Sequence, residues 1–231
     1  MLELTDIELH YGSSKILHGV NLQADLGEVT CVMGVNGAGK TSLLKVIAGA
    51  HPRSAGRYVL NGAEQTRPGP AQLARAGVAY VPQGRDIFPL LTVRENLETG
   101  FACLPRQERM VSDEIFELFP VLKEMEGRRG GDLSGGQQQQ LAIGRALVTR
   151  PKVLLLDEPT EGIQPNIIQQ IGRVIEHLRD RGDMAIVLVE QYFDFAVRLG
   201  GRVVALRGGR QVISDRMSAI PRAELMDAVS V

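Results

Sequence analysis

"GVNGAGKT", residues 34–41, decides how this chain is read. It satisfies the pattern G-x-x-x-x-G-K-[ST] in full, and its flanks supply the strand and helix that the pattern requires. Upstream, "GEVTCVMG" (27–34) reads as a strand running straight into the loop. Downstream, "TSLLKVIAGA" (41–50) puts Leu43, Leu44, Ile47 and Ala48 at helical spacing, with Gly49 as the stop. Glycines let successive backbone N–H groups turn toward phosphate oxygens, and the helix N-terminus adds its dipole. Gly34, Val35, Asn36, Gly37, Ala38, Gly39, Lys40, Thr41 and Ser42 are therefore candidate phosphate-binding residues. Lys40 has the reach for the β- and γ-phosphates, and the Thr41 hydroxyl is a candidate Mg²⁺ ligand.

Two further stretches fit beside that loop. "VLLLDE", 153–158, is an apolar strand of the kind buried on both faces of a parallel sheet, and it ends in two carboxylates. Ligands of open α/β sheets bind at that edge. Asp157 suits Mg²⁺ and Glu158 suits polarising an attacking water; alone, the pair would also pass for an acidic helix cap before Pro159. "LSGGQ", 133–137, offers exposed N–H groups, a hydroxyl and no Cβ to hinder approach, a second anion site at Ser134, Gly135, Gly136 and Gln137. Alone, it would serve equally as an ordinary Ser cap.

The rest of the chain sets these in a strand–helix alternation that implies a mainly parallel sheet flanked by helices. Leu2 and Leu4 alternate with polar neighbours, as do Ile7 and Leu9, and the slip between the pairs predicts a bulge. "GRYVLNG" (56–62) predicts a strand ending in an Asn-Gly turn, and "RVVALRGGRQVI" (202–213) a hairpin around Gly-Gly. "GVAYVPQ" (77–83) and "MAIVLVEQ" (184–191) read as strands, and "NIIQQIGRVIEHLRDRG" (166–182) as an amphipathic helix with a glycine stop. Residues 84–142 carry helical patterns only, with Thr92 and Ser112 as N-cap candidates. That stretch reads as a helical subdomain inserted into a single domain of residues 1–231.

Composition excludes some alternatives. Lys+Arg 26 against Asp+Glu 27 leaves a net charge of -1, without the basic excess of a nucleic-acid face. The cysteines, Cys31 and Cys103, form no CxxC pair, so a zinc site is not expected; both are expected as reduced thiols of a cytosolic protein, Cys31 in the core. The opening "MLELTDIELHYG" is charged from its third residue, and no signal peptide is expected. Apolar runs stop at about six residues, well short of the ~20 of a membrane helix.

Phosphate loop, "LSGGQ" and "LLLDEP", in that order and over essentially the whole length, resemble the ATP-binding subunits of ABC transporters. The resemblance implies a P-loop NTPase of the ABC ATPase type: a mainly parallel core, an N-terminal antiparallel β-subdomain and the inserted helical subdomain. It implies ATP and Mg²⁺ as cofactors, hydrolysis coupled to solute transport, and two ATPase chains paired head to tail, alike or different. In such a pair Ser134–Gln137 of one chain caps ATP on the loop of the other. Integral-membrane permeases, and through them a solute-binding protein, are the implied partners, at the cytoplasmic face of the membrane.

Further positions follow from the resemblance. Tyr11 falls where an adenine-stacking aromatic stands; Gln83 matches the glutamine that senses Mg²⁺ and the attacking water. "GRDIFPLLTVREN" (84–96) belongs to the groove that receives a permease helix. "EGIQP" (161–165) departs from the commoner "SALD" form, with Gln164 where Asp is usual. Gln191 stands where most such ATPases carry histidine, and of the neighbours Glu190 and Gln191 it is the one expected to face the nucleotide. "VEQ" with "EGIQP" resembles the branched-chain amino acid and urea/amide uptake ATPases, and "EGIQPNIIQQIG" with "EQYFDFA" looks most like the urea type. A soluble ABC ATPase of translation or repair, or an ATP-sensing module without turnover, are the rival readings.

Overall fold

A computed structural model describes residues 1–230. Strands β1 (Leu2–Tyr11) and β2 (Ser14–Ala24) form an antiparallel hairpin, and β3 (Val29–Met33) leads into the glycine loop and helix α1 (Lys40–Ile47). Strands β4 (Ala55–Leu60) and β5 (Ala63–Glu64), helix α2 (Pro70–Arg75) and strand β6 (Val78–Val81) follow. Next come helices α3 (Val93–Glu98), α4 (Asp113–Leu118), α5 (Pro120–Glu124) and α6 (Gly135–Val148). Strand β7 (Val153–Asp157), helix α7 (Pro165–Arg181), strand β8 (Ala185–Val189) and helix α8 (Phe193–Leu199) precede the hairpin β9 (Arg202–Arg207) and β10 (Arg210–Arg216) and helix α9 (Arg222–Val229).

Within the described residues the strands make a four-stranded sheet, β2-β1-β4-β5, and a six-stranded sheet, β10-β9-β3-β8-β7-β6. In the larger sheet β9, β3, β8, β7 and β6 run parallel and β10 closes one edge antiparallel. Side chains alternate across a strand, so this sheet divides two cores. Cys31, Leu154, Leu156, Ile186, Leu188 and Val203 face one core, shared with α6, α7 and α8. Val32, Val153, Leu155, Val187 and Leu206 face the other, shared with α1 and the antiparallel sheet.

Local expectations meet specific geometry. The bulge between Leu4 and Ile7 is a register shift with Asp6 at φ 50, which keeps Leu2, Leu4, Ile7 and Leu9 all buried. Asn61 and Gly62, and Gly208 and Gly209, all have positive φ, as two-residue hairpin turns require. The Cys31 thiol donates to the Ala196 carbonyl at 3.4 Å, and burial pushes it far above its ordinary pKa. Thr92 caps α3 with a reciprocal bond to Glu95. Ser112 stands at the expected cap position of α4 but makes no side-chain cap bond. The helical pattern over 112–125 is realised as two helices: Pro120 cannot continue the ladder, and Phe119 swings to φ -133. The proposed insertion of residues 84–142 ends inside α6, which runs unbroken to Val148.

Candidate active site

Neighbouring parallel strands deliver the site residues to one edge. The C-terminal ends of β3, β8, β7 and β6 carry, respectively, the glycine loop, Gln191, Asp157 with Glu158, and Gln83. This is the edge where open α/β sheets bind ligands.

The loop is shaped by close backbone approach. A Cβ on Gly34 would lie 2.2 Å from the Leu206 carbonyl oxygen, so only glycine fits. Lys40 is buried, and its ammonium donates to the carbonyls of Gly34 at 2.9 Å and Val35 at 3.1 Å. It also stands 3.6 Å from Glu158 Oε1. The Lys40 charge is thereby held at the mouth of the loop.

Asp157 bridges the loop to the sheet. Its Oδ1 accepts from the Thr41 hydroxyl at 3.1 Å and its Oδ2 from the Tyr80 hydroxyl at 3.0 Å. Burial raises its pKa above the ordinary carboxylate value, against the two hydrogen bonds that lower it. Burial and the adjacent carboxylate push the Tyr80 phenol far upward, so it stays a donor. Thr41 and Asp157 are paired oxygen donors of the type a hard divalent cation takes alongside phosphates. The set fits Mg²⁺.

Glu158 is the hub. Its backbone sits at φ 49, a left-handed conformation that costs about 1–3 kcal/mol in a residue with a Cβ. The Glu158 N–H bond to the Val189 carbonyl, 2.9 Å, holds it there. Its carboxylate accepts from Gln191 Nε2 at 2.6 Å on Oε1 and from Gln83 Nε2 at 3.2 Å on Oε2. Lys40, Gln83, Glu158 and Gln191 are thus one hydrogen-bonded and ionic constellation.

Just past β8, Glu190 and Gln191 turn to opposite sides, one buried and one exposed. Glu190 is 2% exposed and accepts four hydrogen bonds, from the Thr160 amide and hydroxyl on Oε1 and from the Gln191 and Tyr192 amides on Oε2. It ties the turn after β8 to the turn after Glu158. Gln191 is exposed and reaches Glu158 at the same sheet edge.

Other expected residues lie apart from that constellation. Tyr11 is 41% exposed, with its ring edge-on to His51 at 4.6 Å between centroids. Ser134 caps α6, its hydroxyl accepting from the Gln137 amide at 3.4 Å and Gln137 Oε1 accepting from the Ser134 amide at 2.9 Å. No hydrogen bond among the described residues joins it to the loop at 34–41. Glycine at 135 and 136 has a use inside the chain as well: a Cβ there would come within 3.1 Å of the Arg85 guanidinium and of Ile167. Gln164 is exposed at the start of α7 and makes no cap bond.

The structure adds residues that sequence reasoning passed over. Glu161 Oε2 takes the Gln83 amide at 3.0 Å, and its carbonyl takes Arg85 at 3.2 Å. Arg145 on α6 donates to the carbonyls of Asp86 at 2.8 Å and Arg85 at 3.1 Å, both of which have positive φ. Buried Asn96 ties down the backbone of Phe88, Leu91 and Thr92 while Phe88 and Leu90 stay exposed, Leu90 at 79%. Only the charge of Glu161 inside "EGIQP" signalled any of this in advance.

With this geometry in place, the comparisons with known proteins are direct. A family model described as ABC transporter matches residues 17–161. The high-affinity branched-chain amino acid transport ATP-binding protein BraG of Pseudomonas aeruginosa is 41% identical over 221 residues, covering 95% of this chain and 94% of that protein. The probable branched-chain amino acid transport ATP-binding protein LivF of Archaeoglobus fulgidus is 37% identical over 213 residues, covering 91% and 89%. Among solved structures, the ADP conformation of MJ1267, an ATP-binding cassette of an ABC transporter, superposes with a TM-score of 0.82 at 27% identity, covering 98% of this chain and 93% of that one. The chain belongs to the ABC transporter family and is an ATP-binding, ATP-hydrolysing subunit of it.

Proposed function

We propose that the chain powers an importer, coupling ATP binding and hydrolysis to the uptake of a small amino-acid-type solute. The carrying observation is the constellation around Glu158. In this reading the loop amides and Lys40 neutralise the transferring phosphate, and phosphoryl transfer is mostly positioning and charge neutralisation. Mg²⁺, when bound with the nucleotide, supplies further neutralisation, and Thr41, Asp157 and Gln83 are the residues that would hold it. Glu158 orients the attacking water and accepts its proton. Gln191 holds the carboxylate in place through its amide. Tyr11 stacks on the adenine, and Ser134 to Gln137 cap the nucleotide of a partner ATPase chain.

Among the described residues no helix is long and apolar enough to cross a membrane. The family supports attachment through integral permeases at the cytoplasmic face, docking near exposed Phe88 and Leu90. The similarity to BraG and LivF supports a branched-chain amino acid as solute. "EGIQPNIIQQIG" and "EQYFDFA" favour urea or a short-chain amide as a second reading, with a solute-binding protein delivering either. Uptake of labelled leucine and labelled urea by the assembled complex separates these.

The enzymatic core of the proposal has its own test. Glu158→Gln should bind ATP normally and lose turnover by about 10²-fold or more, the scale of a general base. Brisk hydrolysis by that variant would remove Glu158 from the mechanism. Lys40→Ala should lose nucleotide affinity or turnover in a filter-binding and phosphate-release assay.

A further inference from the structure

Gln83 and Glu161 present a relation that the ATP-site reading leaves unused. The amide nitrogen of Gln83 lies 3.2 Å from Glu158 Oε2 and 3.0 Å from Glu161 Oε2. An amide has one donor end and one acceptor end. Facing two carboxylates, only the NH₂ end can be satisfied, one N–H to each. The carbonyl Oε1 makes neither contact and stays available to an oxygen-seeking cation. Glu161 therefore decides which end of Gln83 is free.

The link is built at more than one point. The Glu161 N–H donates to the Glu158 carbonyl at 3.1 Å, so one tight turn, begun by the left-handed Glu158, presents both carboxylates to Gln83. The Glu161 carbonyl accepts from Arg85 at 3.2 Å, fastening the segment that follows Gln83 to the same residue. Arg145 fixes that segment from its other side through the carbonyls of Arg85 and Asp86. With Glu158 alone the amide would hold one bond and could turn its oxygen aside; with Glu161 it is held by both hydrogens.

We propose that Glu161 is a positioning residue that orients the Gln83 amide so that its oxygen serves the nucleotide-associated divalent cation. This rests on the reading of Gln83 as a cation ligand in the ATP site. Glu161 touches neither nucleotide nor cation. It acts through a hydrogen bond, not through its charge.

The test is Mn²⁺ affinity by electron spin resonance on the purified chain with a non-hydrolysable ATP analogue, beside the melting temperature without nucleotide. Glu161→Ala should weaken Mn²⁺ binding about tenfold, the low end for a residue behind a ligand, at an unchanged melting temperature. Glu161→Gln, whose side-chain oxygen still accepts the Gln83 hydrogen, should keep affinity within about twofold. Gln83→Ala should weaken binding at least as much, and Glu161→Ala should add nothing in that background. If Glu161→Gln is as damaging as Glu161→Ala, charge is the cause and the proposal is overturned. It is equally overturned if Glu161→Ala weakens Mn²⁺ binding in the absence of Gln83, or leaves it unchanged while Gln83→Ala weakens it. If Gln83→Ala itself has no effect, the cation-ligand reading of Gln83 fails, and the Glu161 proposal falls with it.

Discussion

At residues 190 and 191, just past β8, the chain sends a carboxylate inward and an amide to the surface. The buried Glu190 satisfies four donors and orders two turns, whereas Gln191 donates to Glu158. An amide offers that donor without titrating near neutrality, as histidine would. Gln191→His should retain turnover because an imidazole N–H can replace the donor, while Gln191→Ala should lose about tenfold or more, the low end for a residue that orients another side chain. The pH–rate profile of the native chain should show no inflection near pH 6.5 that vanishes in Gln191→Ala. Asp157 carries a different pH signature. Burial raises its pKa in the folded chain, so folding holds its proton more tightly than the unfolded chain does. Its contribution to stability then falls as pH climbs from the ordinary aspartate value of about 3.9 through the raised one. Asp157→Asn keeps one acceptor for Tyr80 or Thr41 and abolishes the titration. Urea denaturation should show this variant gaining on the native chain as pH rises above about 4, then levelling.

At the scale of elements, helix α3 opens on a full capping box, Thr92 with Glu95. The Thr92 carbonyl is also part of the backbone that Asn96 gathers beside exposed Leu90. Thr92→Ala should cost about 1 kcal/mol of stability in denaturant unfolding. Strand and turn positions were legible in advance because period-2 burial and left-handed turn residues are local properties, as Leu2 to Leu9 and Asn61-Gly62 demonstrate. The α4–α5 break was less legible. Its apolar spacing continues through Phe119 and Phe116 as in one helix, and only the proline ring at 120 interrupts it. Ser112 illustrates a different limit: a capping residue type does not ensure a capping rotamer.

Across the whole molecule the larger sheet separates two cores, and α6 packs against the one that also holds α7 and α8. Arg145 on α6 grips the segment after Gln83, so the helix opened by Ser134 is bonded to the segment that reaches Glu158. The exposed Ser134 has its N-cap face outward. Ser134→Glu should leave nucleotide binding to the chain's own loop unchanged within about twofold and repel the phosphates of a partner's nucleotide. Steady-state ATPase activity of the assembled complex should fall, and wild-type activity in that variant would refute the head-to-tail cap.

The sequence alone determined the class of chemistry and pointed to the sheet edge that gathers its candidate residues. A phosphate loop between strand and helix, two carboxylates ending an apolar run and a glycine-rich helix start are short motifs, and short motifs are set by local backbone and side-chain needs. The tertiary structure decided which side chains meet. Gln83, Glu158 and Gln191 follow the ends of three different strands, and only the strand order β8-β7-β6 brings them within hydrogen-bond reach. Glu161 joined them because the left-handed turn at Glu158 folds the next residues back toward Gln83. That pairing spans 78 residues of chain, a distance over which no sequence periodicity carries information.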